Sequence, residues 1–188
     1  MEPAQRLPHP PTAEPTVAGD LFKAWFTHAY APMGPFREAL LAIGVDPDNL
    51  QKTYPGWQFA EAAKIIRQFA HARLDDQAAF LEIGRSLARA FFLTPSGRLL
   101  GMVLRIVPSR TMLHRVPAYM RIARTNVRIE TADLPDGGVR LEITDPDQAP
   151  PWVLVGSIDE GLQQTGTRAK LTMEPLAAGR IQVDARWG

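Results

Sequence analysis

From Asp20 onward the apolar residues follow two different rhythms. Up to about residue 116 they recur every three to four positions, which predicts helices; after Pro117 they alternate with polar residues, which predicts strands. Leu21, Phe22, Trp25 and Phe26 supply the first dense apolar mass. Pro35 to Ile43 fits a short helix, with proline at its first position, Gly44 as its stop and Leu40, Leu41 and Ile43 turned inward. Val45 to Leu50 is turn chemistry. Tyr54-Pro55-Gly56-Trp57 leads into a longer helix that carries Phe59, Ala62, Ala63, Ile66, Phe69 and Ala70 at helical spacing. Asp75 and Asp76 suit the N-terminus of a third helix, where a carboxylate meets the positive end of the dipole. Its inner stripe is Phe80, Ile83, Gly84, Leu87, Ala90 and Phe91. Thr94-Pro95 opens a fourth helix through Leu99, Leu100, Val103, Leu104 and Val107, Pro108 interrupts it, and a short turn of helix follows over Ser109 to His114.

In the second half Val127, Ile129 and Thr131 alternate with Arg128 and Glu130, and Val139, Leu141 and Ile143 alternate with Arg140 and Glu142. Leu134-Pro135-Asp136-Gly137-Gly138 between them is a hairpin turn. Pro150-Pro151 starts a helix bearing Trp152, Val155, Ile158 and Leu162 on one side. Its Gly156 and Gly161 predict close packing of backbone on a sheet. Leu171 and Met173, then Ile181, Val183 and Ala185, form a second hairpin that closes near Ala178-Gly179. The expected fold is α+β: an N-terminal helical layer packed on a small antiparallel sheet made of two hairpins separated by a helix.

Composition bounds the rest. The chain has 188 residues, 45% apolar and 22% charged, as a soluble globular domain has. Residues 1–18 hold Pro3, Pro8, Pro10, Pro11 and Pro15 and few bulky apolar groups, so a flexible proline-rich tail is expected there, with a single α+β domain over 19–188. There is no cysteine, which removes disulfides, thiolate metal sites and cysteine nucleophiles. No apolar run is long enough to span a membrane and the first residues do not read as a secretory signal, so a cytoplasmic location is expected.

Charge is distributed unevenly. Between Glu82 and Glu130 there is no acidic residue, and every cation is arginine: Arg85, Arg89, Arg98, Arg105, Arg110, Arg115, Arg121, Arg124 and Arg128. The guanidinium fork pairs with carboxylate or phosphate through two parallel hydrogen bonds. Two readings stand side by side. Either these arginines neutralise the acidic second half inside one fold, or they select an anionic partner. Nucleic acid is the least favoured partner, because the net charge is only +1 and no reader motif occurs. The segment from Arg121 to Arg128 is expected to enter the first strand, with Arg124 and Arg128 on an outward stripe beside Asn126 whose removal leaves the fold intact.

Other chemistry is sparse. His9, His28, His71 and His114 are too far apart for a metal motif, so no metal and no cofactor is expected. Nucleophile-elbow, Walker and dinucleotide motifs are missing, and Ser86, Ser96, Ser109 and Ser157 have no activating partner evident in the sequence. Nothing argues for an enzyme. Phe91-Phe92 and Leu99-Leu100 make neighbouring helices apolar over a wide arc. Such helices are covered on two sides, by core and by a partner or an enclosed ligand.

Ile83-Gly84-Arg85, Thr94-Pro95-Ser96-Gly97-Arg98 and Arg110-Thr111-Met112-Leu113, the segment Pro117 to Arg128, the helix near Trp152 to Gly161 and the closing Ala185-Arg186-Trp187 carry a resemblance. Over roughly residues 36 to 187 the chain resembles an uncharacterised paralogous family abundant in myxobacteria. The layout of helices, hairpin, helix and hairpin is similar to the 4-vinyl reductase and haem-NO-binding superfamily. That likeness implies an α+β sensor or scaffold domain, some of which enclose a small apolar ligand. The cysteines of many 4-vinyl reductase domains and the YxSxR porphyrin motif are both missing, so neither their metal nor haem is implied. Arg124 and Arg128 also have the RxxxR spacing of one class of cyclic-dinucleotide-binding domains, without the (D/N)xSxxG segment that completes that site.

The expectation is a non-enzymatic regulatory or sensor domain that binds a small anionic or apolar organic ligand between helices and sheet. The alternative is an interaction adaptor that forms a homodimer or docks an acidic protein. Candidate binding residues are Arg98, Arg105, Arg110, Arg121, Arg124, Arg128 and Trp152.

Overall fold

A computed structural model describes residues 14–187. The chain enters as strand β1 (Pro15–Ala18), runs through helix α1 (Gly19–Ala24) and a π-helical turn (Trp25–Ala29), and reaches α2 (Pro35–Ala42). Strand β2 (Thr53–Pro55) then pairs antiparallel with β1. Residues 15–18 of the tail expected over 1–18 form strand β1; residues 1–13 lie outside the described residues. Val17 is buried and opposes Tyr54, and one buried β-branched side chain is enough to tie this stretch to the core despite its prolines.

Helices α3 (Gly56–Ala70) and α4 (Asp76–Leu93) follow the predicted spacing. Asp75 caps α4, its carboxylate accepting from the Ala78 amide at 2.8 Å. Thr94 caps α5 (Pro95–Leu104) in the same way. Helix α6 (Ser109–Ala123) is longer than the turn expected over Ser109 to His114, because it continues through Pro117. A proline usually ends a helix, but here Met112, Leu113 and Val116 are buried along one face, and that burial outweighs one missing backbone bond.

Strands β3 (Arg128–Asp133) and β4 (Val139–Thr144) make the first hairpin. Helix α7 (Pro151–Gln164) crosses over, and β5 (Lys170–Ala177) and β6 (Arg180–Arg186) make the second hairpin. The hairpins join edge to edge through β4 and β6, giving one antiparallel sheet in the order β3-β4-β6-β5. The fold is α+β, as expected from the sequence. Among the described residues no helix is long and apolar enough to cross a membrane.

Two apolar clusters divide the interior. One, around Phe22, Trp25, Phe59 and Ile66, joins the first four helices; the other, around Leu113, Leu141, Val183 and Leu162, joins α6, α7 and the sheet. The α4–α7 pair links them. A Cβ on Gly84 would stand 1.9 Å from the Val153 carbonyl oxygen, and one on Gly156 would stand 2.1 Å from that of Leu81. The two backbones touch at these glycines, and Ser157 Oγ donates to the Gly84 carbonyl at 3.1 Å. Gly156 thus packs on a helix, not on the sheet, and Gly161 faces Met112 of α6.

Candidate functional site: an apolar cavity between helices and sheet

Between α4, α5, α6 and α7 on one side and the sheet on the other lies a cavity of about 760 Å³. The helices supply Leu87, Phe91 and Phe92 from α4, Leu100 and Leu104 from α5, Met112, Val116, Tyr119 and Met120 from α6, and Val153 and Ile158 from α7; Ile143 and Ile181 come from the sheet and Phe59 from α3. Its exposed wall residues, Asp20, Ile122, Gln148, Pro175 and Ala177, mark where it meets solvent. Ile122 is 77% exposed. Several helices are apolar on the side facing this space as well as on the side facing core, as the wide arcs in the sequence predict.

One end of the cavity is polar. Arg124 follows the last residue of α6 and is only 5% exposed. Its Nη1 and Nη2 donate to both oxygens of Asp145 at 2.6 and 2.8 Å, and Nη2 also donates to Asp147 at 3.0 Å. The guanidinium carbon stands 5.1 Å from the centroid of the Phe59 ring, within cation–π range. Asn126 donates to Asp147 at 2.8 Å. Local geometry presents these carboxylates: the Asp147 amide bonds the Asp145 side chain at 3.0 Å, the Asp145 amide bonds the Gly179 carbonyl at 2.7 Å, and Gln148 takes a positive φ of 51°.

The candidate residues read from sequence distribute as follows. Arg124 lines the cavity, but it is buried and ion-paired, so the outward stripe with Arg128 does not form; the chain stays helical to Ala123, and strand β3 starts only at Arg128. Arg128 is exposed on β3 and Arg121 on the outer side of α6. Arg110 is exposed and bonds Asp133 at 2.9 Å. Arg98 and Arg105 are exposed at α5, and Trp152 is half-buried on α7 outside the cavity wall. The mouth is therefore not ringed by arginine. Among the described wall residues the only cation is Arg124, and the carboxylates are Asp20 and Asp145. The ion-pair reading accounts for four of the nine arginines: Arg85 pairs with Asp159, Arg89 with Glu82 and Glu160, Arg110 with Asp133 and Arg124 with Asp145 and Asp147. Arg110 and His114 together hold the Asp133 carboxyl at about 2, below its usual 3.8, with the Arg110 hydrogen bond the larger cause. Phe59, Ile143 and Ile181 of the wall could not be grouped from the sequence, which holds only their periodicity.

A second, smaller cavity of about 450 Å³ lies by the π-helical turn, next to His28, Tyr30, His71, Glu82, Ser86 and Arg89. Ser86 Oγ donates to the Ile83 carbonyl at 2.8 Å, so the Tyr30 hydroxyl donates to Ser86 at 2.7 Å and His71 Nε2–H donates to Tyr30 at 3.0 Å. Burial pushes the Tyr30 phenol up to about 12 against the opposing Ser86 hydrogen bond, and burial lowers His71 against the pull of Glu82. The partner that the sequence does not reveal for Ser86 is thus a tyrosine that supplies a proton, and a serine needs a base to act as a nucleophile.

Helices closing an apolar cavity against a four-stranded antiparallel sheet define an α+β fold of the H-NOX kind. An H-NOX protein from S. oneidensis in the Fe(II)NO ligation state superimposes with a TM-score of 0.69 at 12% identity, over 91% of this chain and 99% of that one. The Fe(II) unliganded H-NOX protein from K. algicida gives 0.64 at 8% identity, over 91% and 96%. A structure probing haem distortion in the H-NOX family gives 0.68 at 11% identity, over 90% and 94%. By sequence the chain belongs to the family described as Protein of unknown function (DUF2378), whose sequence model matches residues 14–188. Comparison with curated proteins gives no match.

The haem of those H-NOX structures tests the cavity. A haem needs an axial donor and cations for its two propionates. Among the described residues the wall holds no histidine: His114 points outward from α6 and bonds Thr131 and Asp133, His71 bonds Tyr30, and His28 borders the smaller cavity. The single cation of the wall already faces two carboxylates. Tyr119, Met112 and Met120 remain as donors, with no base bonded to the phenol. These residues do not fit a haem.

Proposed function

We propose that the protein is a non-enzymatic, sensor-type binding domain for a bulky, apolar and uncharged organic molecule, held in the cavity between the helices and the sheet. The observation that carries this reading is the cavity itself: about 760 Å³ walled almost wholly by aliphatic and aromatic side chains, large enough for an organic ligand. The H-NOX proteins of the same fold include one with NO on its iron, which supports a sensor role for the shared architecture. The charge balance speaks for a neutral ligand over an anionic one. Arg124 is already paired through Nη1 and Nη2 with Asp145 and Asp147, and only its buried Nε is left without a partner, so a buried anion would face two carboxylates beside a cation whose charge they already offset.

The experiment uses two related fluorophores, neutral phenylnaphthylamine and its anionic relative anilinonaphthalene sulfonate. Phenylnaphthylamine is expected to bind saturably, one per chain, and at least about tenfold tighter than the sulfonate, the scale of one unpaired buried charge. Val116→Phe, which pushes a ring into the cavity from its wall, is expected to weaken that binding at least about fivefold. Equal or tighter sulfonate binding overturns the neutral ligand; binding untouched by Val116→Phe overturns the cavity. Native mass spectrometry of the purified protein reads any co-purified ligand directly.

A further inference from the structure

Helix α5 is apolar on both sides. Leu100 and Leu104 face the cavity, whereas Leu99, Met102 and Val103 stand at i, i+3 and i+4 on the outer side, Ile106 follows in the turn after the helix, and all four are exposed, Leu99 to 63% and Ile106 to 83%. Three outward anchors at helical spacing, with a fourth in the turn that follows, are not scattered surface leucines; they form one ridge. Leu93, at the end of α4, is exposed as well. At 100° per residue Arg98 and Arg105 lie together along one flank of that ridge. Neither has an ion-pair partner among the described residues, and Arg98 spends only its Nε, on the Leu93 carbonyl. No carboxylate occurs anywhere in residues 83–129 to offset them.

We infer that this ridge docks on the surface of an anionic lipid bilayer, with the aliphatic side chains entering the headgroup boundary and Arg98 and Arg105 reaching the phosphates. The charge complementarity is specific: an apolar line bordered by unpaired arginine fits an apolar layer edged with phosphate. A second copy of the chain is disfavoured, because the two-fold would add arginine to arginine with no carboxylate between them. A protein groove is less well matched, because the ridge has no aromatic anchor and no directional polar group of the kind that dominates such contacts. This docking does not depend on the cavity ligand.

Vesicle flotation of the full chain tests it. Binding is expected to vesicles of phosphatidylcholine with phosphatidylglycerol, to fall about tenfold or more on phosphatidylcholine alone, and to fall again at high salt. Leu99→Ser with Ile106→Ser is expected to reduce binding at least about tenfold, and Arg98→Glu with Arg105→Glu by a similar factor. All four positions are exposed, so an unchanged circular dichroism spectrum keeps these losses assigned to the surface. No binding to the anionic vesicles overturns the inference, as does binding that the two double variants leave unchanged. A dimer in sedimentation velocity that Leu99→Ser with Ile106→Ser dissolves assigns the ridge to self-association and overturns it too.

Discussion

Replacing Arg124 by alanine removes the one cation among the described residues of the cavity wall, together with the contacts that hold the Asp145–Gln148 loop against α6. Three hydrogen bonds disappear, two of them the bidentate pair to Asp145 and the third to Asp147. The stack on Phe59 goes with them. Removing one partner of a buried ion pair typically costs about 3–5 kcal/mol, because the remaining charge is left without compensation. Here the two carboxylates keep 14% and 19% exposure, so water reaches them once the guanidinium is gone, and the lower end applies. We expect a loss of about 3 kcal/mol, or about 6–12 °C in Tm for a chain of this size. Urea unfolding followed by circular dichroism reads it. Arg128→Ala serves as the comparison: it is exposed and unpaired, and is expected to stay within about 0.5 kcal/mol of the parent. Adding Asp145→Asn to Arg124→Ala is expected to recover part of the loss, since it removes one uncompensated charge. A loss below about 1 kcal/mol for Arg124→Ala, indistinguishable from Arg128→Ala, would refute the reasoning.

Gly84→Ala and Gly156→Ala each force a methyl into backbone less than 2.2 Å away, so each is expected to cost about 3 kcal/mol or more in the same unfolding assay, whereas Gly137→Ala, in the hairpin turn at positive φ with open space around it, is expected to cost less. Asp133, held at about 2 by Arg110 and His114, contributes stability that is complete above its unfolded value near 3.8 and is lost as pH falls through about 2; Asp133→Asn is expected to flatten that acid limb in urea unfolding measured across this pH range. Tyr30, raised to about 12, contributes stability that is complete below 10 and is lost as pH rises toward 12; ultraviolet difference titration is expected to show a late phenolate step that Tyr30→Phe removes.

Local patterns carried most of the architecture. Proline and glycine punctuation with apolar spacing located α2, α3, α4, α5 and α7, and strict alternation located both hairpins, because helix and strand periods express which face each element must bury. The cavity left a trace too: helices apolar over a wide arc, built around Phe91-Phe92 and Leu99-Leu100. Where local rules misled, burial elsewhere had outweighed them. Val17 drew a proline-rich segment into β1, and the buried face of α6 carried the helix past Pro117. The arginine-rich segment shows the boundary most clearly. Its composition is plain in the chain, but Arg124 meets Asp145 and Asp147, 21 and 23 residues away, only because α6 ends against the loop that leaves β4. Arg98 and Arg105, in the same segment, have no ion-pair partner among the described residues, because Glu82 of α4 and Asp159 and Glu160 of α7, the helices packed on α5, are taken by Arg85 and Arg89. A side chain's type is written in the sequence; whether its charge is paired, exposed or walled into a cavity depends on which distant elements the tertiary packing brings to it.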